Sequence, residues 1–163
     1  MSSRSSTDRY AFDITLHGHP PGDPAAGAPH EELGVAWPTV AVPRDCLAVP
    51  MDVDFDGMLA RLGALERMYV EPDGALVWTS PRESGGWQVD GNAYEKEGRV
   101  LLVDLKGSCP PWDFDRLLDC LGWPRQRVLF QLVRPAVFLD ESTFRRHALA
   151  RGLAGDGETL RPR

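Results

Sequence analysis

Apolar positions along the chain follow two periods, and each period marks a different kind of element. Phe55, Met58, Leu59 and Leu62 recur at i, i+3, i+4 and i+7, as do Phe114, Leu117, Leu118 and Leu121, so each set lays one apolar stripe along a short helix. Asp54 and Asp113 stand where an N-cap carboxylate accepts from the first free amides. Asp56 and Asp115 favour the positive end of each helix dipole. Val53 with Met58, and Trp112 with Leu117, have the spacing of a hydrophobic staple, and Gly63 and Gly122 supply a left-handed residue to end each helix. The segments 54–63 and 113–122 agree at six of ten positions, which marks an internal repeat of two copies, fewer than the three a solenoid needs. A third helix is expected from Asp140, with Leu139 and Phe144 as staple, to a stop at Gly152.

Period two appears at Tyr10, Phe12, Ile14 and Leu16, a strand over 10–16 that can dock on a larger sheet. Segments 67–71 and 75–80 flank Pro72-Asp73-Gly74, and segments 87–94 and 99–106 flank residues 95–98, both of which are hairpin signals. Residues 127–134 carry an apolar run without polar alternation, which reads as a candidate central strand that Pro135 ends or bulges. A short strand is expected near Cys46–Val49. These elements define an α+β class: a mostly antiparallel sheet with two or three short helices. A duplicated βαβ, ferredoxin-like plan with an inserted hairpin competes with a simple meander covered by helices. The expected organisation is a flexible segment over 1–32 with one strand in it, a single domain over 33–151 and a flexible tail over 152–163.

Composition narrows the class of protein. An apolar share of 42% and a charged share of 26% match soluble globular chains and exclude disordered, collagenous and coiled-coil readings. Sixteen glycines and fourteen prolines point to a loop-rich fold. No apolar run approaches the ~18 residues of a membrane span, and the first residues lack a secretory pattern, so a soluble cytoplasmic protein is expected. Cys46, Cys109 and Cys120 are odd in number and share no metal-ligand spacing, so they read as reduced thiols. A formal charge of -6 argues against a nucleic-acid partner. Residues 45–73 hold seven acids against Arg61 and Arg67, whereas 116–151 hold seven arginines against Asp119, Asp140 and Glu141. That polarity suits neighbouring elements of one fold, a self-complementary surface or an external partner.

Candidate chemistry is sparse. Asp52-Val53-Asp54-Phe55-Asp56-Gly57 reproduces the first half of a calcium-binding EF-hand loop, but Gly63 occupies the position that needs a bidentate carboxylate, so helix capping is the expected role. His17, His19 and His30, with Glu31 and Glu32 beside the last, offer zinc-ligand types and read more simply as surface histidines. Cys109 lies between an expected strand and helix, where a helix dipole and Lys106 would favour a thiolate nucleophile. Pro110 and Pro111 remove amides there, and a packed turn residue is the plainer reading. No phosphate loop, nucleophile elbow or zincin motif occurs. Trp78 and Trp87 flank a polar loop and, with Tyr94, can line a groove as well as a core, while Arg145 and Arg146 are expected to point outward from the third helix. The functional expectation is a small non-catalytic cytoplasmic module that contacts another protein and needs no cofactor, with self-association open. The alternative is a small enzyme using Cys109 or a histidine-bound metal.

Overall fold

The computed structural model describes residues 8–83 and 85–155. Nine strands and three α-helices follow in chain order among the described residues: β1 Tyr10–Gly18, β2 His30–Glu32, β3 Val35–Trp37, α1 Phe55–Gly63, β4 Met68–Val70, β5 Ala75–Thr79, β6 Gln88–Lys96, β7 Arg99–Cys109, α2 Pro111–Cys120, β8 Val128–Leu132, β9 Val137–Leu139 and α3 Glu141–Leu153. Seven strands form one sheet in the order β4-β5-β6-β7-β1-β8-β9, and β2 pairs with β3 as a separate hairpin. Every neighbouring pair in the large sheet is antiparallel. The fold is therefore mixed α+β.

The pattern over 10–16 becomes β1, which lies between β7 and β8. Leu16 sits across from Val103 and Phe130, and Ile14 across from Leu105 and Leu132. Because β7 and β8 both run antiparallel to β1, they are parallel to one another, and α2 connects them as a split βαβ unit. The ferredoxin-like duplication is not confirmed. In place of the strand expected near Cys46–Val49, residues Arg44–Ala48 form a 3-10 helix, so α1 does not follow a sheet strand as α2 does. The strand expected at 127–134 is β8, one place from the sheet edge, and Pro135 lies in the turn that leads to β9.

The helices keep their apolar stripes but differ at their ends. The Asp54 carboxylate accepts from the Gly57 amide at 2.7 Å and caps α1, and the Asp140 carboxylate accepts from Thr143 at 2.8 Å and caps α3. The second copy of the repeat starts earlier. Pro110 is the residue before α2 and Pro111 its first, because a proline ring presets helical φ and lacks only an amide that would go unpaired there. Asp113 is consequently inside the first turn and not the cap. Gly122 has φ +88 and ends α2 as expected, whereas Gly63 stays within α1 and Ala64 closes that helix in a right-handed conformation.

One core joins the sheet to all three helices. Tyr10, Phe12, Ile14 and Leu16 face the helices from β1. Phe55, Met58 and Leu62 of α1, Phe114, Leu117 and Leu118 of α2, and Phe144 and Ala148 of α3 complete the layer. At Gly107, φ is +144 and an added Cβ would run into the Gln88 carbonyl, so glycine is what lets β6 and β7 close together beneath that layer.

Leu118 is fully buried in this cluster. Replacing it with Ala should lower stability by about 2–5 kcal/mol in urea unfolding, since the cavity adds to the lost transfer free energy. An unchanged midpoint would contradict the packing.

Candidate functional site

The residues singled out from the sequence do not converge on one centre. Cys109 is wholly buried on the helix side of β7. Lys106, three residues earlier, is exposed, and strand alternation turns it to the opposite side of the sheet. Burial pushes the Cys109 thiol well up, and Asp113 adds to that effect more than Arg9 relieves it, so the thiolate expected of a nucleophile is disfavoured. The histidines also separate. His17 is buried and shares a hydrogen bond with Gln131 at 2.8 Å, His19 bonds the Pro20 carbonyl at 2.7 Å, and His30 meets Glu32. Among the described residues no group of three His, Cys, Asp or Glu side chains is placed to hold a metal ion.

Trp78 and Trp87 are packed in the core, and Trp87 also lines a cleft with Arg9, Pro81, Trp112 and Asp113. Trp78 and Trp87 are 1% and 3% exposed and meet edge to face with centroids 4.9 Å apart, and the Trp78 indole donates to the Glu66 carbonyl. Strand alternation sends the Trp78 ring to the helix side, and Trp87, just before β6, packs against it there. Arg145 is likewise turned inward, because it has strong partners there. Its guanidinium lies 2.7 Å from Asp115, bonds Glu141 at 3.1 Å and the Tyr10 hydroxyl at 3.2 Å, and sits 5.4 Å from the Trp123 ring centre. Burial opposes its charge, but Tyr10 and Asp115 outweigh burial and raise its pKa. The basic end of the chain thus pairs at Arg145 with α2 and its own helix, not with the acidic run over 45–73. Arg146 is exposed, and so is Tyr94.

Sequence reasoning missed a polar cluster that tertiary folding assembles around Glu32. A single Glu32 carboxylate oxygen accepts from His30 Nε2 and His147 Nε2, both at 3.0 Å, and Arg151 Nε lies 3.9 Å from the other oxygen. An ionised carboxylate only accepts, so each imidazole donates from Nε2. The Trp37 indole donates to the Glu32 carbonyl at 2.9 Å, and its ring meets His147 edge-on. The β2–β3 hairpin is thereby fastened to α3. These side chains line a cleft of about 480 Å3 with Asp13, Leu132, Val133, Arg134 and Pro135. The volume falls in the ~300–1,000 Å3 range of ligand pockets. The sequence signal was limited to His30 beside Glu32, because His147 lies 115 residues away from that carboxylate.

A second feature is a surface. The core uses one face of the sheet, and on β4, β5 and β6 the other face is uncovered. Tyr69, Val77 and Tyr94 expose 64%, 39% and 46% of their surface there, on three adjacent strands. Tyr69 pairs directly with Val77, which pairs with Asp90, and Asp90 pairs with Lys106.

The chain is thus a two-layer α+β protein with a polar cleft and an uncovered sheet face. No family model, curated protein or solved structure matches it. Among the described residues no helix is long and apolar enough to cross a membrane.

Charge reversal should separate the two arginines. Arg145→Glu places a carboxylate against Asp115 and Glu141 and should cost roughly 2 kcal/mol, a figure typical of charged hydrogen bonds. Arg146→Glu, on an exposed side chain, should stay within about 0.5 kcal/mol. Equal midpoints for the two variants in urea would refute the inward placement of Arg145.

Acid should destabilise the fold. Burial lowers the pKa of His147 and of His17 from the ordinary 6.5, despite the opposing hydrogen bonds to Glu32 and Gln131. The unfolded chain therefore takes up protons first, and these groups cost stability as pH falls below about 6.5. Burial acts to raise the Glu32 pKa, but hydrogen bonds from His30 and His147 and the nearby charges lower it overall, so its contribution is lost below about 4.5. Urea midpoints should fall between pH 7.5 and 4.5, and less steeply in His147→Gln. A flat or rising series would contradict the buried, uncharged histidines.

Proposed function

We propose that the protein is a non-catalytic interaction module that binds another protein on the uncovered face of β4, β5 and β6. The observation that carries this reading is the exposure of Tyr69, Val77 and Tyr94 on three neighbouring strands, on the side of the sheet that no helix among the described residues covers. Aromatic side chains expose large area at low conformational cost, and Tyr69 and Val77 lie side by side, with Tyr94 four residues along β6 from Asp90, Val77's partner, on the same face. Glu71, Asp73 and Asp90 are exposed around this patch against Lys106, so the partner that fits has a basic rim. The same acidic rim repels nucleic acid. The catalytic alternative has weak support, since Cys109 is sealed in the core with a raised pKa and the amino-terminal histidines are separated. Cys46, Cys109 and Cys120 are all unpaired, which suits a reducing, cytoplasmic setting.

A photo-crosslinking amino acid placed in turn at Tyr69, Tyr94 and Arg146 tests this reading in cells of the source organism. Positions 69 and 94 should capture the same protein, through a lysine- or arginine-rich surface, and position 146 should not capture it. Capture from 146 alone, or from none of the three, would reject the sheet face as the binding surface.

A further inference from the structure

The β2–β3 hairpin is held at two separate places. At its base, Gly27 donates to the Thr39 carbonyl at 3.0 Å, Ala41 to the Ala25 carbonyl at 2.7 Å, and the Thr39 hydroxyl to the Ala28 carbonyl at 2.7 Å. Val40 donates to the Phe138 carbonyl at 2.9 Å, which fixes this base to the large sheet at β9. None of these bonds involves a titratable side chain. Beyond the base, His30 pairs with Trp37, Glu31 with Ala36 and Glu32 with Val35, and Leu33 and Gly34 make the turn with φ 56 and 72. Two positive φ values suit a type I′ hairpin turn. This outer part meets α3 through Glu32 and through the Trp37 ring. Trp37 is buried but lies outside the core cluster, so its removal from α3 costs no core contact.

The outer attachment depends on charge. The Glu32 carboxylate faces His30 of its own strand and His147 and Arg151 of α3. Arg151 already supplies one cation, a proton on His147 would add a second, and a proton on His30 a third, all around one anion. Glu31 lies on the other face of the hairpin by strand alternation, and β3 has no titratable side chain. Arg134 lines the cleft and adds positive charge, whereas the Asp13 side chain, across from Lys106, turns to the sheet face away from α3. Burial of the His147 ring, joined by Arg151 and His30, outweighs the attraction of Glu32 and holds its pKa below the ordinary 6.5. With the hairpin away from α3, water reaches the ring and the ordinary value returns. Proton uptake therefore favours release as pH falls below about 6.5.

We propose that residues 30–37 form an acid-released flap, which in mild acid leaves α3 by turning about its base at Val40 and uncovers Trp37 and the cleft while the core stays folded. The short strands suit this role, because an element with few contacts of its own opens locally at low cost. Histidine suits it too, since its charge changes in the range where release is set.

The test is amide hydrogen exchange of the full chain at pH 7.5 and 5.5, expressed as protection factors so that the intrinsic pH dependence of exchange cancels. Protection over 30–37 should fall roughly 3- to 10-fold, since one histidine of ordinary pKa drives at most about 10-fold over this range. Amides of β1 and β7 should keep their protection. His147→Gln retains a side-chain donor toward Glu32 but does not titrate, so its flap should be equally protected at both pH values. Glu32→Gln removes the charge that holds the flap and should lower protection over 30–37 already at pH 7.5. A further measurement needs no variant: the His147 imidazole, followed by NMR, should titrate with the same midpoint as the loss of protection. Unchanged protection over 30–37 at pH 5.5, equal losses in β1 and β7, or titration of His147 beneath a flap that stays protected would overturn the proposal. None of these outcomes bears on crosslinking from Tyr69 and Tyr94, so this proposal and the sheet-face reading stand or fall separately.

Discussion

The structure depends on the aromatic contact between β1 and the two carboxyl-terminal helices. Phe12 lies 5.2 Å from Phe114 and 6.4 Å from Phe144 between ring centres, and Tyr10 meets the same two rings at 5.7 and 6.1 Å. Phe130 of β8 stacks on Phe144 at 4.2 Å, nearly parallel. One strand, two helices and the adjoining strand therefore meet in a single cluster of large apolar rings. Each ring contributes area and a preferred angle, so the cluster sets both the depth and the orientation of the helices on the sheet. Tyr10 then carries the constraint outward, since its hydroxyl accepts from Arg145, which also pairs with Asp115 of α2.

That arrangement has consequences on both sides of the sheet. With α1, α2 and α3 on one face, the opposite face of β4, β5 and β6 has no covering layer among the described residues. Antiparallel sheets tolerate this because their strands can alternate apolar and polar side chains. Val77 stands between the buried Leu76 and Trp78, and Tyr69 follows the buried Met68, so the same alternation that builds the core leaves these side chains outside. The placement of α3 also decides the cleft. Phe144 and Ala148 turn inward, His147 is drawn down beside Trp37, and Arg151, one helical turn beyond His147, reaches the same carboxylate.

The Glu32 cluster is a costly arrangement that the fold makes tolerable. Two imidazoles and a carboxylate lose water when brought together, and each imidazole is satisfied at Nε2 by the same oxygen. The return is attachment of the short β2–β3 hairpin, which has only three residues in each strand and would be marginal alone. The Trp37 indole reinforces this by bonding the Glu32 backbone. The hairpin, α3 and the turn between β8 and β9 together line the cleft.

Local pattern alone determined the helices and most strands. The stripes of Phe55 to Leu62 and Phe114 to Leu121, the caps at Asp54 and Asp140 and the turn signals at Gly74 and Gly98 each act within a few residues, so they are legible without a fold. Misreadings arose where a neighbour competed. Pro110 and Pro111 started α2 ahead of Asp113, and residues 44–48 form a 3-10 helix that joins no sheet. Only tertiary structure decided that Trp78 and Trp87 are core and that Arg145 turns inward. The partners that decide this, Glu66, Asp115 and Tyr10, lie on other elements. Glu32 illustrates the same limit, since His30 is its neighbour in sequence, whereas His147 and Arg151, which also bond it or lower its pKa, lie on α3 and meet it only in the folded structure.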